Sequence, residues 1–441
     1  MSIVEQFSSV VESVSRFALV AVVADGLAVL FESGGRHGGE LVGWVRAEAH
    51  DVIDAKITKW TAEDIAAGKG FLSVMARMEL TWKPASAKLP SKIVAKIPTS
   101  TKLPLLKEFM PQEFIDKLKE DLHVVHNAEV SVYDMFAKTG SPPVCLPNVY
   151  GTLRLPEGGE NVEPAYIIMD DLSDKAGMVN LFEGKHLNDK QLHQVLKNIG
   201  RLHAWSTLHR DETKQLVCAD FMKTFQDTVA QSESGLKDLQ ALFRDEKYSS
   251  YLSEEQIERI PELKPDYSDA ELFTTIHRQP EYVGVEDVMI HGDIHTNNML
   301  FANDDKGQPT GDLVALLDWQ IVHHGNPCED LTNLSLAVDQ ELRTPEQQTR
   351  QLRTYYDAYK GMLAQNGRKE MPFTFEAFQR LYERSADLMS RLFLPLMAGF
   401  LKGFGSADIP GADSHKAQTE FVAHVAHMIV QGLEKVDKDA K

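Results

Sequence analysis

The stretch that decides the fold reads VMIHGDIHTNNMLF at residues 288–301, followed by VALLDWQ at residues 314–320. Two apolar runs, at residues 299–301 and 314–317, flank a polar segment rich in Asn, Asp and Gly. Residues of these types tolerate a left-handed backbone and favour tight turns. The pattern therefore predicts a β-hairpin with its turn between the two runs.

Polar side chains stand at the strand ends of this stretch. Asp293 follows the apolar residues 288–290, Asn298 comes five residues later, and Asp318 ends the second strand of the hairpin. Carboxylate and amide oxygens are hard ligands, which Mg²⁺ prefers when phosphate groups also hold it. The sequence therefore predicts a site for Mg²⁺ and a phosphorylated ligand.

The spacing resembles the catalytic loop and metal-binding segment of the protein-kinase-like fold. His291 opens a His-Gly-Asp triplet where protein kinases carry His-Arg-Asp, and Asp318 opens Asp-Trp-Gln where they carry Asp-Phe-Gly. His-Gly-Asp with Asp-Trp is the form of the small-molecule branch, which includes aminoglycoside phosphotransferases and choline kinases. The whole string is most similar to the CHK kinase-like and ecdysteroid kinase-like families of insects and nematodes.

This resemblance implies a role for each matched residue and an ATP-dependent transfer to a hydroxyl group. Asp293 would orient the acceptor hydroxyl and take its proton, and His291 would brace the loop. Asn298 and Asp318 would hold Mg²⁺, and Asp330 would support the loop by hydrogen bonds. No Ala-Pro-Glu triplet follows, so a small molecule is favoured over a peptide as acceptor, and the family resemblance suggests a lipophilic or steroid-like alcohol.

Two other functions are compatible with parts of this pattern. Asp293 and His295 form an Asp-x-His pair of the kind that metallophosphoesterases use on a two-metal centre, with His323 and His324 as the nearest further histidines. A nucleotide-binding protein without transferase activity is the second alternative, because Ser73 stands near the place of a loop glycine.

A lysine in a buried-type strand is the main signal of the N-terminal half. Lys96 lies in the apolar run at residues 93–97, where a charge is costly to bury without a partner. The run resembles the kinase motif Val-Ala-Ile-Lys, whose lysine binds the α- and β-phosphates and pairs with a helical glutamate. A helical period over residues 114–136 places Glu129 as the expected partner, with Glu113 and Glu120 as competitors.

Two further segments are expected to contact the nucleotide. Gly68, Gly70 and Ser73 lie in a segment that would let backbone amides approach phosphate oxygens, and a plain hairpin turn is the alternative explanation of the glycines. The kinase-like resemblance also places the hinge and the adenine edge after an apolar strand. The hinge residues are Met169, Asp170, Asp171 and Leu172.

Composition limits the class of protein. The chain has 441 residues, of which 43% are hydrophobic, an ordinary share for a globular protein. Its formal net charge of −19 is unfavourable for binding nucleic acid. Its three cysteines form no Cys-x-x-Cys pair, which fits a reducing compartment. No apolar segment is long enough to span a membrane, so we predict a cytoplasmic protein.

Together these signals predict an α+β, bilobal protein-kinase-like fold. Residues 1–50 would form an N-terminal extension with an amphipathic helix, residues 51–172 a nucleotide-binding lobe, and residues 173–441 a mainly helical lobe with the catalytic loop. The insert at residues 209–285 is expected to line part of the acceptor pocket. His203 is expected to be a hydrogen-bonded core histidine, and Pro395 to break an apolar helix.

Overall fold

The computed structural model describes residues 56–65, 72–83, 85, 89–104, 112–160, 164–180, 185–216, 233–264, 284–403 and 415–439. The predicted helix in residues 1–50 and the glycines Gly68 and Gly70 lie outside these residues. The chain divides into two compact units. The first comprises residues 1–103, 119–142 and 146–174, and the second comprises residues 104–118, 143–145 and 175–441. The last segment of the second unit begins at Lys175, and the predicted lobe boundaries stay a prediction.

The first unit is built on a five-stranded antiparallel sheet. Its spatial order is β1-β2-β3-β5-β4, and its apolar face packs Met78, Ile93, Ile97 and Ile168 together. β3 is buried from Ile93 to its end, which fits a central strand covered on both faces. The strands are β1 Lys56–Asp64, β2 Ser73–Lys83, β3 Lys92–Pro98, β4 Val149–Leu153 and β5 Tyr166–Asp170.

The helical period predicted over residues 114–136 is interrupted. Two helices occupy this region, α1 at Gln112–Glu120 and α2 at Leu122–Thr139. Asp121 separates them because its backbone, with ψ near 8°, leaves the helical region. The apolar spacing continues across the break, so the sequence pattern alone could not reveal it. α2 contacts β3 and β4, which brings its inner face against the sheet.

The second unit contains small sheets and most of the helices. Three strands form the order β6-β8-β9, and two others pair as β10-β7. The predicted hairpin of the motif stretch is present as β8 and β9, with the turn at Gly307. The strands are β6 Ala176–Gly177, β7 Val288–Ile290, β8 Met299–Asn303, β9 Pro309–Leu316 and β10 His323–Gly325.

The helices of the second unit pack in two groups. The first group is centred on the contact between α3 and α8, and the second is an apolar cluster of α5, α6, α9 and α10. The helices are α3 Asp189–Leu208, α4 Arg210–Thr213, α5 Glu233–Phe243, α6 Glu254–Arg259, α7 Cys328–Asn333, α8 Pro345–Gln365, α9 Phe375–Gly403 and α10 His415–Asp439. Short 3₁₀ turns lie at Ser249–Tyr251, Ile260–Leu263, Thr296–Asn298, Leu334–Ala337 and Gln340–Arg343.

The prediction that Pro395 breaks its helix is wrong. α9 continues through this residue to Gly403. Proline in a helix interior costs about 3 kcal/mol, but buried Leu392, Leu394 and Met397 anchor both sides of it in the apolar cluster. Packing therefore outweighs the lost backbone hydrogen bond. No helix in the described part of the chain combines the length and apolar composition needed to cross a membrane.

α3 and α8 approach closely at a glycine. A Cβ built on Gly200 of α3 would lie 2.5 Å from the backbone oxygen of Tyr355 and 3.1 Å from the Cβ of Ala358. Because a backbone oxygen cannot move aside as a side chain can, only glycine fits without shifting one helix. Gly200 thereby sets the distance between the two helices.

We expect Gly200→Ala to lower the free energy of unfolding by about 1–3 kcal/mol, since the two helices must separate. Gly361→Ala is the matched control, because Gly361 lies on α8 with open space around its Cβ position. That substitution should stabilise the protein by about 0.5–1 kcal/mol through helix propensity. Denaturant unfolding of both variants measures the difference, and equal effects would contradict the close approach.

Candidate active site

The His-Gly-Asp loop, residues 291–298, connects β7 to β8. β7 is fully buried and pairs with β10, so the loop begins from a fixed strand end. Gly292 has φ +86°, and a Cβ there would lie 2.7 Å from the backbone oxygen of Ile321. A side chain at this position would meet both a strained backbone and a steric clash. This explains why the triplet carries glycine in its middle position.

Asp330 holds the start of the loop through hydrogen bonds to its backbone. Its carboxylate accepts the backbone N–H of His291 at 2.8 Å and that of Gly292 at 2.9 Å. The residue is fully buried on α7, and His203 donates to the same carboxylate at 3.2 Å. Burial raises the pKa of Asp330, but the hydrogen bond from His203 and the other donors lower it by more, so the pKa falls below its usual value. Asp330 therefore remains an ionised acceptor.

His291 links the loop to the end of β9. Its Nε2 lies 2.9 Å from the carbonyl oxygen of Leu317, and its Nδ1 accepts the backbone N–H of Asp293 at 3.3 Å. Its ring packs 4.5 Å from that of Trp319. Burial lowers the pKa of His291, which favours the neutral ring that these bonds require. Because the side chain is fully buried, it holds the loop in place and has no surface for a substrate.

Asn298 is coupled directly to Asp293. Its Nδ2 donates to the backbone oxygen of Asp293 at 2.9 Å and lies 3.2 Å from Oδ2 of the same residue. Its backbone oxygen accepts the N–H of Leu317 at 2.9 Å, which fixes it to the strand that precedes Asp318. Asn298 is buried, whereas the Asp293 side chain is 44% exposed. The pair thus presents a reachable carboxylate beside an anchored amide.

His295 is a neighbour of this carboxylate that the motif comparison did not assign. Its Nε2 lies 3.4 Å from Oδ2 of Asp293, and its Nδ1 accepts the backbone N–H of Asn297 at 3.2 Å. Partial burial raises the pKa of Asp293, but the interactions with His295 and the hydrogen bond from Asn298 outweigh it and the pKa falls to about 2. Asp293 is therefore ionised at neutral pH. The sequence signal for this contact was the Asp-x-His pair.

Asp318 has the only positive φ, +65°, among the described residues other than glycine. A left-handed backbone is uncommon outside glycine and is tolerated best by Asp and Asn. Such outliers often mark functional sites, where the surrounding structure enforces them. The charge of Asp318 also raises the pKa of His291 and His295, so Asp318 lies near the His-Gly-Asp loop.

The two histidines that would complete a two-metal centre serve other purposes. His323 is fully buried, with Nδ1 2.8 Å from the oxygen of Ile321 and Nε2 3.4 Å from Glu329. His324 bonds Thr213 Oγ1 at 2.8 Å. No group of three or more His, Cys, Asp or Glu side chains could hold a metal ion within the described ranges. The geometry therefore gives no support to the metallophosphoesterase alternative.

The first unit buries the ion pair that the sequence suggested. Lys96 Nζ lies 2.6 Å from Glu129 Oε2, and both residues are almost completely buried, at 4% and 0% exposure. Glu120, one of the competing partners, is exposed. A buried ion pair does not generally stabilise a fold more than apolar residues of similar size would. Its presence on the central strand therefore points to a functional use of the lysine.

Both carboxylates of the predicted hinge make local bonds within the first unit. Asp170 accepts hydrogen bonds from Asn148 Nδ2 at 2.7 Å and from the hydroxyl of Tyr150. Asp171 accepts from Arg77 Nε at 2.6 Å. These side chains shape the segment after β5, and the expected contact of residues 169–172 with an adenine stays a prediction. Ser73 is the first residue of β2 and is buried, and its predicted nucleotide contact stays a prediction.

An antiparallel sheet with a buried Lys–Glu pair, and a His-Gly-Asp loop tied to an Asn and close to an Asp, fit the predicted α+β protein-kinase-like class. A family model described as "Uncharacterized oxidoreductase dhs-27" (DUF1679) matches residues 52–437. The chain belongs to this family. A Caenorhabditis elegans protein with the same description is 26% identical over 390 residues, which cover 85% of this chain and 44% of that protein. The chain thus spans less than half the length of this relative.

Several solved structures are similar over most of the chain. A choline kinase of Cryptosporidium parvum has a TM-score of 0.42 and 13% identity, and the match covers 86% of this chain and 91% of the choline kinase. An ethanolamine kinase of Plasmodium vivax has a TM-score of 0.41 and 10% identity, and the match covers 90% of this chain and 95% of the ethanolamine kinase. An aminoglycoside phosphotransferase with ADP bound has a TM-score of 0.36 and 12% identity, and the match covers 89% of this chain and 99% of the phosphotransferase.

We expect Lys96→Met to lower the free energy of unfolding by about 3–5 kcal/mol, because it leaves the Glu129 carboxylate buried without its partner. The double substitution Lys96→Met with Glu129→Leu should recover most of this loss, since no unpaired charge remains. Lys92→Met, on the same strand but with an exposed partner at Asp174, is the control and should change stability little. Denaturant unfolding measures all three variants. A double variant as unstable as Lys96→Met would show that charge burial is not the cause.

Proposed function

We propose that the chain is an ATP-dependent small-molecule kinase, which transfers the γ-phosphate of ATP to a hydroxyl group. The observation that carries this proposal is the coupling of Asp293 to Asn298 within a loop that Asp330 holds by two backbone hydrogen bonds. Phosphoryl transfer depends mainly on positioning and charge stabilisation. A rigid loop that presents an ionised carboxylate beside an amide supplies the positioning.

Asp293 orients the acceptor. Its ionised carboxylate accepts a hydrogen bond from the acceptor hydroxyl and turns the oxygen toward the γ-phosphorus. As the new P–O bond forms, the bond between the γ-phosphorus and the bridging oxygen breaks and ADP leaves. The hydroxyl proton passes to Asp293 and then to water. With a pKa of about 2, this carboxylate is a weak base, so its main contribution is orientation rather than early proton removal.

The donor set of the second unit fits Mg²⁺. Because Nδ2 of Asn298 is used by Asp293, its carbonyl Oδ1 is the amide atom suited to a cation, and Asp318 supplies a carboxylate. Two protein oxygens are sufficient when phosphates and water fill the other positions. Bound there, Mg²⁺ would neutralise charge on the phosphates. Asn298 and Asp318 hold their positions through the bonds of Leu317, the residue between β9 and Asp318.

Lys96 is the proposed ligand of the α- and β-phosphates. Glu129 keeps the ammonium group in place on β3, and Tyr133 contacts the second oxygen of the same glutamate at 3.5 Å. The glycine segment with Gly68 and Gly70 and the backbone at residues 169–172 complete the proposed nucleotide contacts. ATP and Mg²⁺ are the proposed cofactors.

The proposed acceptor is a small alcohol. The sequence motifs resemble families whose names suggest a lipophilic or steroid-like alcohol, and no Ala-Pro-Glu triplet suited to a peptide kinase is present. Residues 233–264 of the insert pack against α9 and α10. Their predicted contribution to the acceptor pocket remains part of this proposal.

The family description as an oxidoreductase does not suit the chemistry of this chain. Nicotinamide-dependent enzymes of the doubly wound class use a parallel sheet and a Gly-x-Gly-x-x-Gly turn. All strand pairs of the named sheets in the described residues are antiparallel, and the sequence contains no Gly-x-Gly-x-x-Gly. The matched relative is more than twice as long as the region it shares with this chain, so its description need not refer to that region.

We expect Asp293→Ala to keep the thermal shift that Mg·ATP produces and to lose phosphoryl transfer by at least about 10³-fold, because orientation of the hydroxyl is lost. Turnover is measured with labelled ATP over a panel of sterols, amino alcohols and sugars. Asp305→Ala, at the exposed turn of the same hairpin, is the control and should behave as wild type. Retained turnover in Asp293→Ala would refute the role of this residue.

The same measurements separate the alternatives. A wild-type protein that shows the thermal shift but no turnover on any acceptor would be a nucleotide-binding protein without transferase activity. Hydrolysis of a generic phosphate ester with Mn²⁺ and without ATP would instead indicate a metallophosphoesterase.

A further inference from the structure

A buried chain of hydrogen bonds runs from α8 to the His-Gly-Asp loop. The Tyr355 hydroxyl on α8 lies 2.9 Å from Nδ1 of His203 on α3. Nε2 of the same ring lies 3.2 Å from Asp330, which accepts the backbone N–H groups of His291 and Gly292. Tyr355, His203 and Asp330 are all completely buried. The proposed mechanism uses Asp330 but assigns nothing to Tyr355.

The direction of each hydrogen bond follows from chemistry. Burial raises the pKa of Tyr355 well above its usual value, so the phenol keeps its proton and can donate it. Asp330 is ionised and can only accept. A neutral imidazole that accepts at Nδ1 carries its proton at Nε2, which is the nitrogen that faces Asp330. The Tyr355 donor and the Asp330 acceptor, at the two ends of the chain, therefore favour the same tautomer of His203.

We infer that Tyr355 is a positioning residue for the His-Gly-Asp loop, because its hydroxyl holds His203 in the tautomer that donates to Asp330. With the other tautomer, an unprotonated Nε2 would face the carboxylate and the two acceptors would repel each other. Asp330 would then turn or take up a proton, and its bonds to the backbone of His291 and Gly292 would weaken. The loop that carries Asp293 would lose its fixed position.

The ring of Tyr355 is held by packing, which leaves its hydroxyl to bond His203. The Tyr355 ring stacks on Phe378 with 4.7 Å between centroids, so neighbours on α9 hold the ring without help from the hydroxyl. Gly200, one turn before His203 on α3, allows the close approach of the helices that this hydrogen bond needs. Tyr355→Phe therefore removes one hydrogen bond and leaves the ring packing in place.

α8 also supplies a matched control. Tyr359, one turn after Tyr355, is equally buried, and its hydroxyl bonds Thr207 Oγ1 on α3. Thr207 Oγ1 donates to the backbone oxygen of His203 within α3, whereas the hydrogen bonds described for Asp330 come from His203, His291 and Gly292. Tyr359→Phe thus removes a buried hydroxyl between the same two helices without touching the imidazole of His203. A general loss of stability should appear in both Tyr355→Phe and Tyr359→Phe. A change in the His-Gly-Asp loop should appear in Tyr355→Phe alone.

Two measurements test the inference without any activity assay. In protein labelled with ¹⁵N at histidine, with the His203 signals assigned from His203→Gln, we expect the Nε2–H tautomer in wild type and in Tyr359→Phe. Tyr355→Phe should show a mixture of tautomers. Hydrogen exchange of the amides of His291 and Gly292 should be about fivefold to tenfold faster in Tyr355→Phe than in Tyr359→Phe.

The third measurement rests on the proposed kinase function. We expect Tyr355→Phe to lower kcat by about tenfold while KM for ATP stays within about twofold, because the loop and not the nucleotide site is disturbed. Tyr359→Phe should keep kcat within about twofold of wild type. A wild type without turnover would refute the proposed function but leave the tautomer and exchange results to decide the inference.

The inference is overturned if wild-type His203 carries a proton on Nδ1. It is also overturned if Tyr355→Phe and Tyr359→Phe give the same tautomer, the same exchange rates and the same kcat.

Discussion

The second unit depends on one buried carboxylate. Asp330 accepts the backbone N–H groups of two consecutive residues at the start of the His-Gly-Asp loop. Hydrogen bonds to an ionised acceptor are stronger than neutral ones, and leaving such donors buried without an acceptor is costly. The backbone of His291 and Gly292 is thereby fixed, which fixes where Asp293 begins. Asn298 then closes the loop onto Asp293, and His291 ties it to the strand that leads into Asp318.

The first unit uses the same kind of constraint for a different purpose. Lys96 and Glu129 are both removed from water, although an apolar pair could fill the space with equal or greater stability. A lysine held at a fixed place on a central strand suits a ligand with negative charge, because the ammonium group needs no reordering when that ligand arrives. Both units thus contain buried charges that folding alone does not require, and both sets belong to the proposed phosphoryl-transfer machinery.

Much of this arrangement was predictable from local sequence. The hairpin follows from two apolar runs around a turn, and the Lys96–Glu129 pair follows from the difficulty of burying a lone lysine. Contacts that depend on tertiary packing were not predictable. His203 was expected to be a satisfied core histidine, which it is, but nothing in its own helix indicates that its partners are Asp330 and Tyr355, far along the chain. The break at Asp121 was missed because the apolar spacing continues across it. The continuous helix at Pro395 was missed because packing outweighs the lost backbone hydrogen bond there.

The most direct test of the proposed function is a structure of the full chain with Mg²⁺ and a non-hydrolysable ATP analogue. We predict that one bound nucleotide contacts Lys96 through its α- and β-phosphates, and that the metal ion on its phosphates has Asn298 and Asp318 among its ligands. The carboxylate of Asp293 should lie beside the γ-phosphate without coordinating the metal. A nucleotide bound away from Lys96, or a metal ion held without Asn298 and Asp318, would contradict the assignment of this chain as a kinase.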